Sequence, residues 1–135
     1  MNVAAETEFV KTFVIKKKQE RYVYLVKSRK RRKTFLRELY HFRDFDPAYE
    51  VPLSGATKTA DGLIAELRRR GAVHDCWIIS VRADLDGTTM PLADAIHEAR
   101  RTEGTIVLCA PGKLAYYEGE PPHNQCILYS GGRRT

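Results

Sequence analysis

The residues best suited to binding chemistry are nine lysines and arginines that crowd two short stretches near the N-terminus. The first stretch holds three consecutive lysines followed by an arginine, and the second holds five consecutive cations. Dense cationic clusters neutralise phosphate groups, so this pattern predicts a surface that binds a polyanion. The candidate nucleic-acid-binding residues are Lys16, Lys17, Lys18, Arg21, Arg29, Lys30, Arg31, Arg32 and Lys33.

The uneven distribution of charge supports this prediction. Residues 1–50 contain 13 Lys or Arg against 7 Asp or Glu, a balance of +6, whereas residues 51–135 contain ten of each. The run Arg29 to Lys33 is expected to begin a helix, where the macrodipole repels each cation by about 0.3–1 kcal/mol at low salt. A cluster that opposes folding in this way indicates selection for an anionic partner. The sequence therefore predicts a non-catalytic module that binds DNA or RNA with little sequence specificity.

The cations and two neighbouring tyrosines each leave a second reading open. The cations would equally suit a protein–protein module, of the inhibitor or immunity type, that docks on an acidic protein. Tyr22 and Tyr24 are predicted to share one face of a strand, from which they could stack on bases or pack in the core.

A pair of aspartates gives a third hypothesis, a metal-dependent enzyme. Asp84 and Asp86 are two residues apart and precede Gly87, at the end of a predicted strand. A calcium loop would need an oxygen ligand at its fifth position and a glutamate at its twelfth. Thr88 and Ala95 occupy those positions, so a strand-to-helix turn explains the aspartates better. The sequence predicts no cofactor.

Nucleophilic catalysis has little support in this sequence. His74, Asp75 and Cys76 are consecutive, but neighbours along a strand point to opposite faces, so the three cannot form a triad. No nucleophile-elbow, phosphate-loop or dinucleotide-binding motif is present. Cys76, Cys109 and Cys126 are odd in number and lie in apolar contexts, which predicts buried reduced thiols. These observations favour a non-enzymatic protein.

The composition is that of an ordinary globular domain. The chain has 135 residues, of which 43% are hydrophobic and 30% charged. No apolar run approaches the roughly 20 residues of a membrane span, so no membrane association is expected. The first residues have neither the basic nor the apolar region of a signal peptide, so a cytoplasmic location is predicted.

The clearest buried element is the apolar run 75–81, which reads as a central strand. An amphipathic helix over 90–101 and a second apolar strand over 105–109 follow it. This order predicts a βαβ unit with its two strands parallel and with Trp77 or Ile78 in the core.

The remaining elements complete an α+β fold. We predict one domain over 1–135 with the order ββα-α-βαβββ and a mixed sheet with helices packed on it, flanked by a loose arm (1–8) and a frayed tail (131–135). The other predicted strands are 9–15, 22–27, 114–118 and 125–129. The other predicted helices run from Ser28 to about Asp44–Asp46 and from about Thr57 or Thr59 to Arg70. Tyr116, Tyr117 and the loop 121–124 are candidates to line a pocket, although strand aromatics more often pack in the core.

Overall fold

The computed structural model describes residues 2–120 and 125–131. In this part of the chain, five α-helices and six β-strands form an α+β fold. The helices are α1 (Val3–Phe13), α2 (Lys16–Lys27), α3 (Arg32–Glu38), α4 (Ala60–Arg69) and α5 (Leu92–Arg100). The strands are β1 (Glu50–Pro52), β2 (Asp75–Ser80), β3 (Thr89–Pro91), β4 (Thr105–Ala110), β5 (Leu114–Glu118) and β6 (Gln125–Tyr129).

The six strands form one open sheet in the order β1-β6-β5-β4-β2-β3, and every pairing is antiparallel. Strands β2 and β4 pair with Trp77 opposite Leu108 and Ser80 opposite Thr105. The predicted parallel pairing of these strands, and with it the mixed sheet, is therefore wrong. The cause is β3, which pairs antiparallel with β2 and reverses the chain once more before α5 begins.

The N-terminal region is helical, so the two strands predicted there are wrong. The segments 9–15 and 22–27 lie mainly in α1 and α2, and residues 3–8 belong to α1 instead of a loose arm. Phe9, Val10 and Phe13 are buried on one side of α1, with the i, i+1, i+4 spacing of a helix. β-branched and aromatic residues suggested strands, but burial of this stripe against the sheet decides the outcome.

The sequence predicted the C-terminal two thirds of the chain more accurately. Helices α4 and α5 and strands β2, β4, β5 and β6 coincide with predicted elements to within a few residues. Thr59 caps α4, because its hydroxyl accepts a hydrogen bond from the Gly62 amide at 3.1 Å. The observed order is ααα-β-α-ββ-α-βββ.

Helices cover both faces of the sheet. Because side chains alternate along a strand, strand residues pack into the core on one face or into the core on the other. Ile79, Tyr117 and the buried aromatic residues of α1–α3 belong to the first core. Ile78 and Tyr116 pack with α4 and α5 in the second. Ile78 is fully buried, as predicted, and the three cysteines are free and buried, also as predicted.

The outer strands of the sheet, β1 and β3, are each three residues long and end at Pro52 and Pro91. Within the described ranges, no helix has the length and apolar character needed to cross a bilayer. The predicted pocket loop 121–124 and residues 132–135 of the predicted frayed tail lie outside the described residues.

Candidate nucleic-acid interface

The predicted cations fall into two groups, one at each end of α2. Lys16–Lys18 form the first turn of α2, with Arg21 one turn further on. Arg29–Arg31 form the turn between α2 and α3, and Lys33 lies in the first turn of α3. Because α2 has 12 residues, its ends are about 18 Å apart. The sequence predicted a basic hairpin loop between strands 9–15 and 22–27 that would carry Lys16–Lys18 and Arg21. This prediction is wrong, because all four residues lie in α2.

One predicted member, Arg32, is inside the protein and is unavailable to any ligand. It is 4% exposed, and its guanidinium contacts two carboxylates. Nη1 and Nη2 donate to Glu6 at 2.5 and 2.8 Å, and Nε and Nη2 donate to Asp86 at 2.9 Å each. Burial alone would lower the pKa of Arg32, but these hydrogen bonds raise it above its ordinary value. Arg32 therefore anchors the start of α3 and leaves the set of candidate contacts.

The two aspartates that suggested a metal site are each paired with an arginine. Asp86 binds Arg32 and also accepts a hydrogen bond from the Ser80 amide at 3.0 Å. Asp84 pairs with Arg82 at 2.8 Å on the surface. Residues 2–120 and 125–131 contain no group of three His, Cys, Asp or Glu side chains arranged to hold a metal ion.

The eight remaining cations constitute the basic surface: Lys16, Lys17, Lys18, Arg21, Arg29, Lys30, Arg31 and Lys33. All are exposed except Lys18, which is half-buried. Arg21 forms an ion pair with Glu38 at 3.1 Å. The other seven have no ion-pair partner among the described residues. Seven uncompensated cations are the main electrostatic feature of this surface.

The position of each group relative to the helix ends changes the electrostatic argument. The predicted helix start at Ser28 is wrong, because α3 begins at Arg32. Arg29–Arg31 therefore follow the C-terminus of α2, where the macrodipole favours cations. Lys16–Lys18 instead lie at the N-terminus of α2, where the macrodipole repels cations. No acidic residue in that first turn offsets the repulsion, and the N-cap residue, Ile15, makes no side-chain hydrogen bond.

The two tyrosines of α2 have opposite environments. Tyr22 is fully buried, and its hydroxyl lies 3.0 Å from Glu38 Oε1 and 2.5 Å from Asp44 Oδ2. Burial, strengthened by these carboxylates, raises the pKa of Tyr22. Tyr24 is 55% exposed, and the Arg31 guanidinium lies 5.2 Å from its ring centroid. Residues two apart on a helix face different directions, so only Tyr24 can contact a ligand.

A shallow groove of about 330 Å³ continues the basic surface along α3. Lys33 and Arg37 flank it, and Leu36, Tyr40 and Val81 complete its lining. Arg37 and Tyr40 were not among the predicted site residues. Arg37 lies four residues after Lys33 and Tyr40 seven, so helical spacing could have identified both from the sequence.

The residues considered for nucleophilic catalysis are His74, Asp75 and Cys76. Cys76 is fully buried and donates a weak hydrogen bond to the Val73 carbonyl, so it has no access to substrate. His74 and Asp75 are in contact at 2.8 Å but are both exposed.

Comparisons of the chain with protein-family models, with curated proteins and with solved structures give no match.

Proposed function

We propose that this protein binds nucleic acid through the phosphate backbone, with the basic surface as its interface and with little sequence specificity. The observation that carries the proposal is the set of seven exposed or half-exposed cations without ion-pair partners among the described residues. Lysine and arginine bind phosphates and release condensed counterions, which supplies most of non-specific affinity.

The two groups of cations suit a long backbone better than a compact anion. The length of α2, about 18 Å, separates Lys16–Lys18 from Arg29–Arg31. Phosphates along a nucleic-acid strand repeat over such a distance, whereas a small anion would contact only one group. We expect four or five of the cations to contact one backbone at once.

The exposed Tyr24 favours nucleic acid over an acidic protein as the partner. An arginine over an aromatic ring, as Arg31 lies over Tyr24, presents a flat surface on which a base can stack. The side chains of aspartate and glutamate carry no aromatic ring that could stack there. Docking on an acidic protein remains the alternative, and the experiment below separates the two. We place the function in the cytoplasm, where the three free cysteines stay reduced.

The test is a binding titration of fluorescently labelled single-stranded and duplex DNA, followed by anisotropy at several salt concentrations. We expect micromolar affinity at moderate salt and a log–log slope of about −4 on duplex, since each phosphate contact contributes roughly −0.9. Absence of binding at low salt, or binding that does not depend on salt, would reject the proposal and favour the protein partner.

A further inference from the structure

A cavity of about 310 Å³ lies where β1 ends and β6 begins, on the sheet face that α1–α3 cover. It is distinct from the basic surface. Three aromatic side chains, Phe42, Phe45 and Tyr117, form its walls. Glu50, Gln125 and Cys126 supply its polar groups. The volume is at the small end of the range for ligand pockets.

Internal contacts hold the aromatic walls in place. The Phe42 and Phe45 ring centroids are 4.4 Å apart, and those of Phe45 and Tyr117 are 5.1 Å apart. The Tyr117 hydroxyl donates to the Leu39 carbonyl at 2.5 Å and accepts from the Phe42 amide at 3.0 Å. The three rings are between 2% and 8% exposed. The walls are therefore rigid before any ligand arrives, which reduces the entropic cost of binding.

The polar groups around the cavity include the Glu50 carboxylate and the Gln125 amide oxygen, both of which accept hydrogen bonds. Glu50 has no ion-pair partner within residues 2–120 and 125–131. Its Oε1 accepts only a weak bond from the Cys126 thiol at 3.9 Å. Although Glu50 as a residue is exposed, partial burial of its carboxylate, together with the negative charge of nearby Asp46, raises its pKa. The Gln125 amide nitrogen donates to Glu118 at 2.6 Å, and no described residue donates to the Gln125 amide oxygen, which can accept from a ligand.

We propose that this cavity binds a small organic ammonium ion, with the charged nitrogen between the aromatic rings and the Glu50 carboxylate. Aromatic rings attract cations through their quadrupole, and an unpaired carboxylate at the same site adds charge complementarity. Glu50 and Asp46 would repel an anion, and a neutral apolar molecule would leave the Glu50 carboxylate without a partner. The inference does not depend on the nucleic-acid proposal, because no cation of the basic surface lines the cavity.

The experiment compares choline with 3,3-dimethylbutan-1-ol, a neutral molecule of nearly the same shape. Binding is followed on the full chain by calorimetry and by amide chemical shifts of Gln125 and Cys126. We expect choline to bind at least tenfold more tightly than the neutral molecule. Glu50→Gln is expected to weaken choline binding five- to tenfold and to leave the affinity for the alcohol unchanged.

Asp94→Asn is the control for overall charge, because Asp94 is an exposed residue of α5 on the opposite face of the sheet. We expect it to bind choline as the parent protein does. Three results would overturn the inference: no saturable choline binding, equal binding of the two molecules, or equal losses in Glu50→Gln and Asp94→Asn. Glu50 is exposed, and among the described residues its carboxylate accepts only the weak bond from Cys126. Glu50→Gln should therefore fold, and circular dichroism checks this.

Discussion

Arg32 and Glu6 form a two-point ion pair in the protein interior, with Nη1–Oε1 and Nη2–Oε2 distances of 2.5 and 2.8 Å. The pair joins the start of α3 to the first turns of α1, and the Trp77 indole nitrogen also donates to Glu6, at 2.8 Å. It therefore attaches two N-terminal helices to the central strand β2. The basic surface is presented by α2 and α3, so its geometry depends on this interior contact.

Arg32→Met is expected to destabilise the protein strongly, because it leaves the buried carboxylate of Glu6 and the half-buried carboxylate of Asp86 without their cation. The loss of one partner of a buried ion pair typically costs about 3–5 kcal/mol. Urea unfolding followed by Trp77 fluorescence measures the free energy of unfolding. Arg31→Met is the matched control, since Arg31 is exposed and its replacement should cost less than about 0.5 kcal/mol. Similar losses in the two variants would contradict the structural role of Arg32.

Removing two cations of the basic surface should reduce the salt dependence of duplex binding. In the variant Arg29→Gln/Lys30→Gln, the log–log slope should become shallower by about 1.8 if both side chains contact phosphates. The control is Lys58→Gln/Arg68→Gln, which removes the same charge from two exposed residues outside the basic surface. If both double variants change the slope equally, the protein attracts nucleic acid by its net charge alone and has no defined interface.

Tyr24→Ala is expected to weaken binding to single-stranded DNA by about 1–3 kcal/mol, the usual contribution of one base stacked on an aromatic ring. Tyr24→Phe keeps the flat ring and should bind as the parent protein does. Duplex binding should change little in either variant, because paired bases are not available to stack on Tyr24. Anisotropy titrations at one fixed salt concentration measure all three effects. Loss of affinity in the Phe variant as well would show that the hydroxyl matters instead of the ring face.

Glu118 should make the free energy of unfolding depend on pH. It is 5% exposed, and burial raises its pKa even though Tyr116 and Gln125 donate hydrogen bonds to it. The folded protein therefore keeps this proton at pH values where the unfolded chain has lost it. Its contribution to stability is fully present below about pH 4.5, the ordinary pKa of glutamate, and is lost as the pH rises through the folded-state pKa.

Glu118→Gln removes this titration while preserving a partner for Tyr116. We expect the free energy of unfolding of the parent protein, measured relative to this variant, to fall between pH 4 and 7, with a slope of at most about 1.4 kcal/mol per pH unit. Glu20→Gln, at an exposed position of α2, is the control for the loss of one glutamate charge. A constant difference between parent and Glu118→Gln over this range would mean that burial does not perturb Glu118.

Gly104→Ala tests the packing beneath the groove of the basic surface. Gly104 has a φ of +85°, and a Cβ there would lie 2.8 Å from Cγ1 of Val81, which lines the groove. Gly71 also has a positive φ, +106°, but no atom of the described residues lies within 4 Å of the corresponding position. Gly71→Ala therefore measures the backbone strain alone. We expect Gly104→Ala to cost about 1–3 kcal/mol more in thermal unfolding, the usual effect of overpacking, and equal costs would exclude a clash with Val81.

Local patterns in the sequence identified α4, α5 and most strands, because their apolar spacing and turn residues agree with their final environment. The N-terminal strands were wrong because Phe9, Val10 and Phe13 satisfy both a strand composition and a helix spacing, and only packing on the sheet distinguishes them. Arg32 was assigned to the interface because its partners, Glu6 and Asp86, are 26 and 54 residues away. No local pattern contains that information.

The cavity at the β1–β6 corner was missed for a related reason. Tyr117 was recognised as a possible pocket residue, but Glu50 reaches the same cavity because the short strand β1 pairs with β6. This pairing joins segments some 75 residues apart, since Pro52 lies opposite Cys126. The carboxylate that decides the chemistry of the cavity therefore had no distinguishing feature in the sequence.

The short edge strands β1 and β3 have a consequence for the behaviour of the protein at high concentration. An open antiparallel sheet exposes unpaired amide and carbonyl groups at both edges, where another copy could add a strand and begin a fibre. Each edge here offers only three residues and ends in a proline, which has no amide hydrogen to donate. If the edge strands were longer, copies of this apolar sheet could pair edge to edge and polymerise into amyloid-like fibres. The two prolines limit that growth at both ends of the sheet.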